Sequence, residues 1–285
     1  MVSNKQRKKL LKNKKITHSA PVATAPYISR MQAYGELFSD YPTVKFLINH
    51  VLQSDRLIKQ SLLPQDLPYL LLPDDIQDQI FQKINQQFAP GDTAGDQKWN
   101  QLVAALPQLD ADLRGFRDYL EEQYGMWAYI SAPLVADIAG YVGDSAVLEV
   151  MAGNGYISKG LKDLHKTVYT TDSLAWTTEN QTGKHQVTDV EKLDAIAAIQ
   201  KYQDQVDYVI MSWSPDGLPI DQEILATLRQ SARPLKLIVL GEKNGATNSK
   251  QFWEMAHYIE PEATAKLNRH HQPFDLIKDQ IYLID

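Results

Sequence analysis

The chain has 285 residues, 44% of them hydrophobic and 22% charged, with no Cys. That length supports one large domain or two modest ones, and the composition is that of an ordinary globular protein rather than a disordered one. The absence of Cys excludes a disulfide framework, thiolate metal sites and a Cys nucleophile, and no apolar run reaches the ~18 residues that a membrane helix needs.

Net charge is −6, but it is unevenly spread. Residues 1–15 hold seven of the 29 Lys/Arg and no acid, so the remainder is strongly acidic. The basic stretch reads as a solvated tail, and with no apolar segment behind it it makes a poor export signal. The partner it suggests is RNA or the ribosome, through weak phosphate attraction. With no Cys and no export signal, a cytoplasmic protein without a membrane partner is expected. Residues 16–26 carry two Pro and little periodicity, so 1–26 reads as tail and linker.

Residues 27–123 predict an all-helical accessory domain. Leu109, Leu113, Phe116, Leu120 and Tyr124 recur every three or four positions and share one helix face. Phe46-Leu47-Ile48 could pass for a strand, but the apolar positions continue at Val51, Leu52 and Ile58, which is helical spacing. Pro64, Pro68 and Pro73 break the chain, and Ala89-Pro90-Gly91-Asp92 breaks it again.

From Tyr124 the texture changes. Short β-branched runs at 146–150, 167–171, 185–188, 206–211 and 235–240 alternate with amphipathic stretches such as 158–164 and 189–202. Strands alternating with helices predict βαβ units and a doubly wound parallel sheet. Gln280–Ile284 predicts one further strand.

The first of these strands runs into Glu149-Val150-Met151-Ala152-Gly153-Asn154-Gly155. Two glycines around one residue, between strand and helix, permit a tight turn with exposed backbone, where ligands of doubly wound sheets sit. By itself this is a common βα turn. Two further acids, Asp172 and Asp189, fall at the ends of the next two predicted strands. A carboxylate offers two acceptor oxygens, enough for both ribose hydroxyls, and the second acid could meet an adenine amino group. Each acid alone is more often a helix cap or turn residue.

The pattern Glu149-x-x-x-Gly153-x-Gly155, with Asp172 and Asp189, resembles motif I and the following acids of class I S-adenosylmethionine-dependent methyltransferases, over roughly residues 125–285. The resemblance implies an α/β fold: a Rossmann-like methyltransferase sheet over 124–285 with an antiparallel last strand at Gln280–Ile284. It implies that Glu149 orients the glycine loop near the methionyl amino group, Asp172 holds the ribose and Asp189 lies near adenine. The implied cofactor set comprises Glu149, Met151, Gly153, Asn154, Gly155, Asp172, Ser173, Asp189, Val190 and Ser212. Three flanking segments are similar to those of a little-characterised methyltransferase-like group: Tyr124-Gly125-Met126-Trp127-Ala128, Ser212-Trp213-Ser214-Pro215, and Gly241-Glu242 with Gly245 and Thr247. Ser214 stands where that group tends to have Pro, and Asn154 where Thr is commoner.

Methyl transfer from a sulfonium is an in-line displacement, to which a protein contributes mainly proximity and alignment. An acceptor N or O can also need a base. Glu242 and Asp216 follow strand ends and are the candidate bases, although such acids are more often solvated. Tyr124, Trp127, Trp213 and Pro215 are the candidate acceptor pocket, against the plain alternative of ordinary core or rim aromatics. Ser212 replaces the Asn/Asp of base-amine methyltransferases, so that acceptor class is not favoured. His270-His271, read as neighbours on a strand, point to opposite faces and predict no metal site. No nucleophile elbow or P-loop motif is present. The expected activity is methyl transfer to an unidentified acceptor. A methyltransferase-like binding module without turnover and a nicotinamide oxidoreductase are the alternatives. The latter lacks the third glycine, since Ser158 stands there.

Overall fold

The computed structural model describes residues 25–285. The basic tail at 1–15 and nearly all of the linker lie outside the described residues. The helical part comprises α1 (Tyr27–Leu37), α2 (Pro42–Lys59), α3 (Ile76–Gln87), α4 (Thr93–Arg114) and α5 (Phe116–Tyr124). Phe46–Ile48 lie inside α2, whose Val44, Leu47, Ile48, Val51 and Ile58 are buried as the helical spacing requires. The prolines at 64, 68 and 73 keep residues 62–73 irregular. Asp92 caps α4 by accepting the Ala94 N–H at 2.8 Å. Helix α5 stops because Gly125 takes a left-handed φ of 57°, with its N–H bonded to Glu121 O.

Helix α6 (Ala132–Val142) begins at a Ser131 cap and leads into the sheet. The remaining elements are β1 (Val147–Val150), α7 (Tyr156–Asp163), β2 (Val168–Asp172), β3 (Glu191–Lys192), α8 (Ala195–Tyr202), β4 (Tyr208–Ser212), α9 (Ile220–Arg229), β5 (Lys236–Gly241), α10 (Lys250–Met255), α11 (Pro261–Leu267) and β6 (Gln280–Ile284). The strand order is β3-β2-β1-β4-β5-β6. All pairings are parallel except β5–β6, which is antiparallel. This is the doubly wound sheet that the sequence pattern predicts, with the reversed last strand that the resemblance implies.

Successive residues of a strand face opposite ways, and each face has its own core. Val147, Ile210, Ile238, Leu240, Ile281 and Leu283 join one cluster with Phe38, Val51, Leu113, Phe116, Leu134 and Leu161. Leu148, Val150, Val209, Met211, Leu237 and Val239 join the other with residues of α8, α9 and α10. The amino-terminal helices and one face of the sheet thus share a continuous apolar core. Backbone bonds cross between them as well, from Leu70 N–H to Phe274 O and from Ala132 N–H to Pro64 O, both at 2.8 Å.

Two expectations need correction. Residues 185–188 are not a strand: the Val187 N–H bonds to Asn154 O at 2.9 Å and the His185 N–H to Asn154 Oδ1 at 3.2 Å, so they are tied to the glycine turn and not to a ladder. The third strand is the two-residue, exposed β3, and Asp189 precedes it instead of following it. His270 and His271 lie after α11 and not on a strand; they face different carboxylates, Asp137 and Asp279. Among the described residues no helix is long and apolar enough to cross a membrane, and no cluster of three His, Asp or Glu could hold a metal.

Candidate functional site

Strand β1 ends in a turn of unusual backbone. Gly153 and Gly155 adopt φ of 56° and 80°, and Met151, which has no such freedom, adopts 54°. The same left-handed conformation recurs at Leu174 beyond β2 and at Trp213 beyond β4. Non-glycine residues held there are enriched at functional sites, because the surrounding structure must overcome the local cost, although Ser61, His165 and Glu260 share the conformation elsewhere in the chain. Met151, Leu174 and Trp213 lie at the carboxyl tips of neighbouring strands, where a doubly wound sheet binds its ligands.

Two carboxylates lie beneath these tips. Glu149 shares the face of β1 with Val147, and its Oε2 accepts from the Ser158 N–H at 2.9 Å and from the Ser158 hydroxyl. Burial pushes its pKa up to about 7, even though both Ser158 bonds favour the charged form. Asp172 ends β2. Its Oδ2 accepts the Gly153 N–H at 2.8 Å and its Oδ1 the Leu174 N–H at 2.6 Å. The glycine turn is therefore tied to the β2 tip through this side chain.

Asn154, between the glycines, is 1% exposed. Its Nδ2 donates to Tyr124 O at 2.7 Å and to Gln181 O at 3.1 Å, while its Oδ1 takes the His185 N–H. One side chain thus fastens three loops around the turn. At the β4 tip the Trp213 N–H donates to Leu240 O, and Pro215 forms a bridge with Thr247. Trp127 donates its indole N–H to Thr182 Oγ1 at 2.9 Å, and its ring centroid lies 6.2 Å from that of Trp213.

These groups enclose a cavity of about 250 Å³. Of the predicted residues, Glu149, Met151, Gly153, Asp172, Ser173, Ser212, Trp127, Trp213 and Pro215 line it. Among the described residues, Glu149 and Asp172 are the charged residues of that lining, and no Lys or Arg contributes. Ser214 Oγ is buried without a hydrogen-bond partner, and Ser214 also lines the cavity. Asn154, Gly155, Tyr124, Asp189 and Val190 are not in the lining. Asn154 and Tyr124 act behind it: the Tyr124 hydroxyl donates to Asp55 Oδ1 at 2.5 Å. Asp189 is exposed.

The two candidate bases also lie outside the lining. Asp216 is exposed on the loop after Pro215. Glu242 accepts from the Ala246 N–H at 2.8 Å and the Lys278 N–H at 3.0 Å, so each of its oxygens holds one loop amide. A Cβ at Gly245 would overlap that carboxylate, which explains the Gly-Glu…Gly spacing. Met126, Ser214 and Thr247 also line it and lie in the flanking segments marked in the sequence, whereas lining residues that sequence reasoning missed include Trp176, Asn180 and Thr182. Trp176 gave one signal, a lone Trp just beyond the β2 tip; the others gave none.

No protein-family model matches the chain, and no curated protein matches it. Solved structures do. TehB from Haemophilus influenzae is 15% identical over 59% of this chain and 65% of its own, with a TM-score of 0.31. An S-adenosylmethionine-dependent methyltransferase from Archaeoglobus fulgidus is 17% identical over 59% of this chain and 97% of its own, with a TM-score of 0.34. The 1,6-didemethyltoxoflavin-N1-methyltransferase of Burkholderia thailandensis, with bound S-adenosylhomocysteine, is 15% identical over 65% and 88%, with a TM-score of 0.30. The match thus spans just under two thirds of TehB.

Proposed function

We propose that the chain binds S-adenosylmethionine in this cavity and transfers its methyl group to an acceptor held against Trp127 and Trp213. The observation that carries the proposal is the charge of the lining. Two buried carboxylates, at the tips of β1 and β2, face a cavity walled by Trp and Met, with no cationic side chain among the described residues. A sulfonium with an ammonium group suits that field, and the diphosphate of a dinucleotide opposes it.

The residues fit the cofactor. Each Asp172 oxygen has one backbone partner and retains acceptor capacity for a ribose hydroxyl. Glu149 is placed to attract the methionyl ammonium. Ser214 Oγ offers a buried, unpartnered donor and acceptor. When bound, the cofactor supplies a methyl group already activated for displacement. The chain's own part is to align the acceptor on the Trp127–Trp213 wall and to exclude water. Where the acceptor must lose a proton, Asp216 is the better placed of the two candidate bases, because each Glu242 oxygen already holds a loop amide.

The nicotinamide reading is disfavoured by Ser158. Its hydroxyl is bonded to Glu149, so the third glycine position is filled by a side chain held against that carboxyl group. Calorimetric titration with S-adenosylmethionine, S-adenosylhomocysteine and NAD tests the assignment. Binding of the first two and not of NAD is expected; NAD binding alone refutes it. Tritiated-methyl transfer into a cell extract then separates an enzyme from a binding module, which would bind the cofactor and label nothing.

A further inference from the structure

Behind the aromatic wall lies a buried ion network that methyl transfer itself does not use. Arg117, in the first turn of α5, is 3% exposed. Its guanidinium carbon lies 5.0 Å from the Trp213 ring centroid and 4.6 Å from that of Phe274. Its Nη1 donates to Trp127 O at 2.8 Å. Its Nε and Nη2 donate to Asp275 at 2.6 and 3.2 Å. Nη1 and Nη2 each reach Asp279 at 3.4 Å, and Asp279 Oδ2 also accepts the Trp213 indole N–H at 3.0 Å. His271 Nε2 is 3.6 Å from the same carboxylate.

A buried charge cluster of this kind is a poor source of stability, because desolvation offsets most of the Coulomb gain; apolar residues of similar volume often do as well. What the network supplies is geometry. A planar guanidinium reaches the Trp213 face, the Trp127 carbonyl and two carboxylates at once, which a Lys ammonium cannot. Both tryptophans it touches line the cavity, and Trp213 is held in a left-handed conformation. Burial works against the charge on Arg117, but Asp279 and Asp275 outweigh it and hold its pKa above the ordinary value. Burial likewise works against ionised Asp279, yet His271 and Arg117 hold its carboxyl well below the usual range.

We propose that Arg117 is a positioning residue for the methyl acceptor, fixing Trp127 and Trp213 in the arrangement that receives it. The role rests on the methyl-transfer reading, whereas the brace itself does not. The test uses the full chain labelled with 5-fluorotryptophan and observed by ¹⁹F NMR, comparing wild type with Arg117→Lys. The Trp127 and Trp213 signals should shift or broaden, while those of Trp99 and of Trp253, in the core on the other sheet face, stay in place. S-adenosylhomocysteine should bind as in wild type, while labelled-methyl transfer into extract falls by ~100-fold, the scale of a misplaced reacting geometry. Unmoved Trp127 and Trp213 signals overturn the proposal, as does parallel loss of transfer and S-adenosylhomocysteine binding. If Arg117→Lys does not fold, Asp275→Asn removes one arm of the fork and should give the same shifts, smaller. Failure of both variants to fold also overturns it, since the network would then be structural. If the wild type binds no S-adenosylhomocysteine, the methyl-transfer reading fails, and the ligand-free ¹⁹F comparison still decides the brace.

Discussion

Glu149 prefers its proton in the folded chain, with a pKa pushed to about 7 from an ordinary 4.5 by burial. The folded state then binds that proton more tightly than the unfolded one does. The associated stability is full below about 4.5 and is lost as pH rises through about 7. Urea denaturation across that window should show wild type losing stability with rising pH relative to Glu149→Gln. A bound cation favours the ionised carboxylate, so S-adenosylmethionine binding near neutral pH should expel a proton. Calorimetry in buffers of different ionisation heat reads this directly. Asp172→Ala should weaken cofactor binding by ~1–3 kcal/mol, the cost of stranding hydrogen-bond partners. Unchanged affinity by calorimetry would reassign the ribose acid. Both carboxylates were legible in the sequence because strand tips and a glycine turn locate them. Thr182 was not: it meets Trp127 only because the chain doubles back across 55 positions.

At the scale of elements, β1, β2, β4, β5 and β6 were legible because short runs of β-branched and apolar residues of strand length alternate with helical stretches. The third strand was not. Val187 and Thr188 have strand-like side chains, but the 185–187 backbone is bonded to Asn154, and β3 shrinks to two exposed residues. The competing bonds come from the carbonyl and the side chain of a residue more than 30 positions away, beyond the reach of any local pattern. Asn154→Ala should therefore cost ~1–3 kcal/mol, as three partners are stranded. It should also speed amide exchange across 181–187 more than elsewhere, as hydrogen-exchange mass spectrometry would register. Uniform acceleration over the whole chain would refute the local role.

Over the whole molecule, the sequence shows which helix faces are apolar but not what they pack against. Periodicity marks Leu109, Leu113 and Phe116 as one stripe of one helix; the structure breaks that run at Gly115 into α4 and α5 and sets Phe116 against Phe274, 158 positions later in sequence. Because α1–α5 share a core with the sheet, removal of residues 1–123 should leave an unfolded or aggregated product by circular dichroism. A folded, cofactor-binding remainder would establish two independent domains. The separation of Arg117 from its carboxylate partners, 158 and 162 positions, has a further consequence for biosynthesis. A nascent chain extended only as far as β5 already carries the glycine turn and both cavity carboxylates. It still lacks the charges that lock the two indoles. Cofactor affinity and substrate competence should thus both await the end of synthesis, because truncation just ahead of Asp275 also removes β6, whose Ile281, Leu283 and Ile284 are buried against the rest of the sheet.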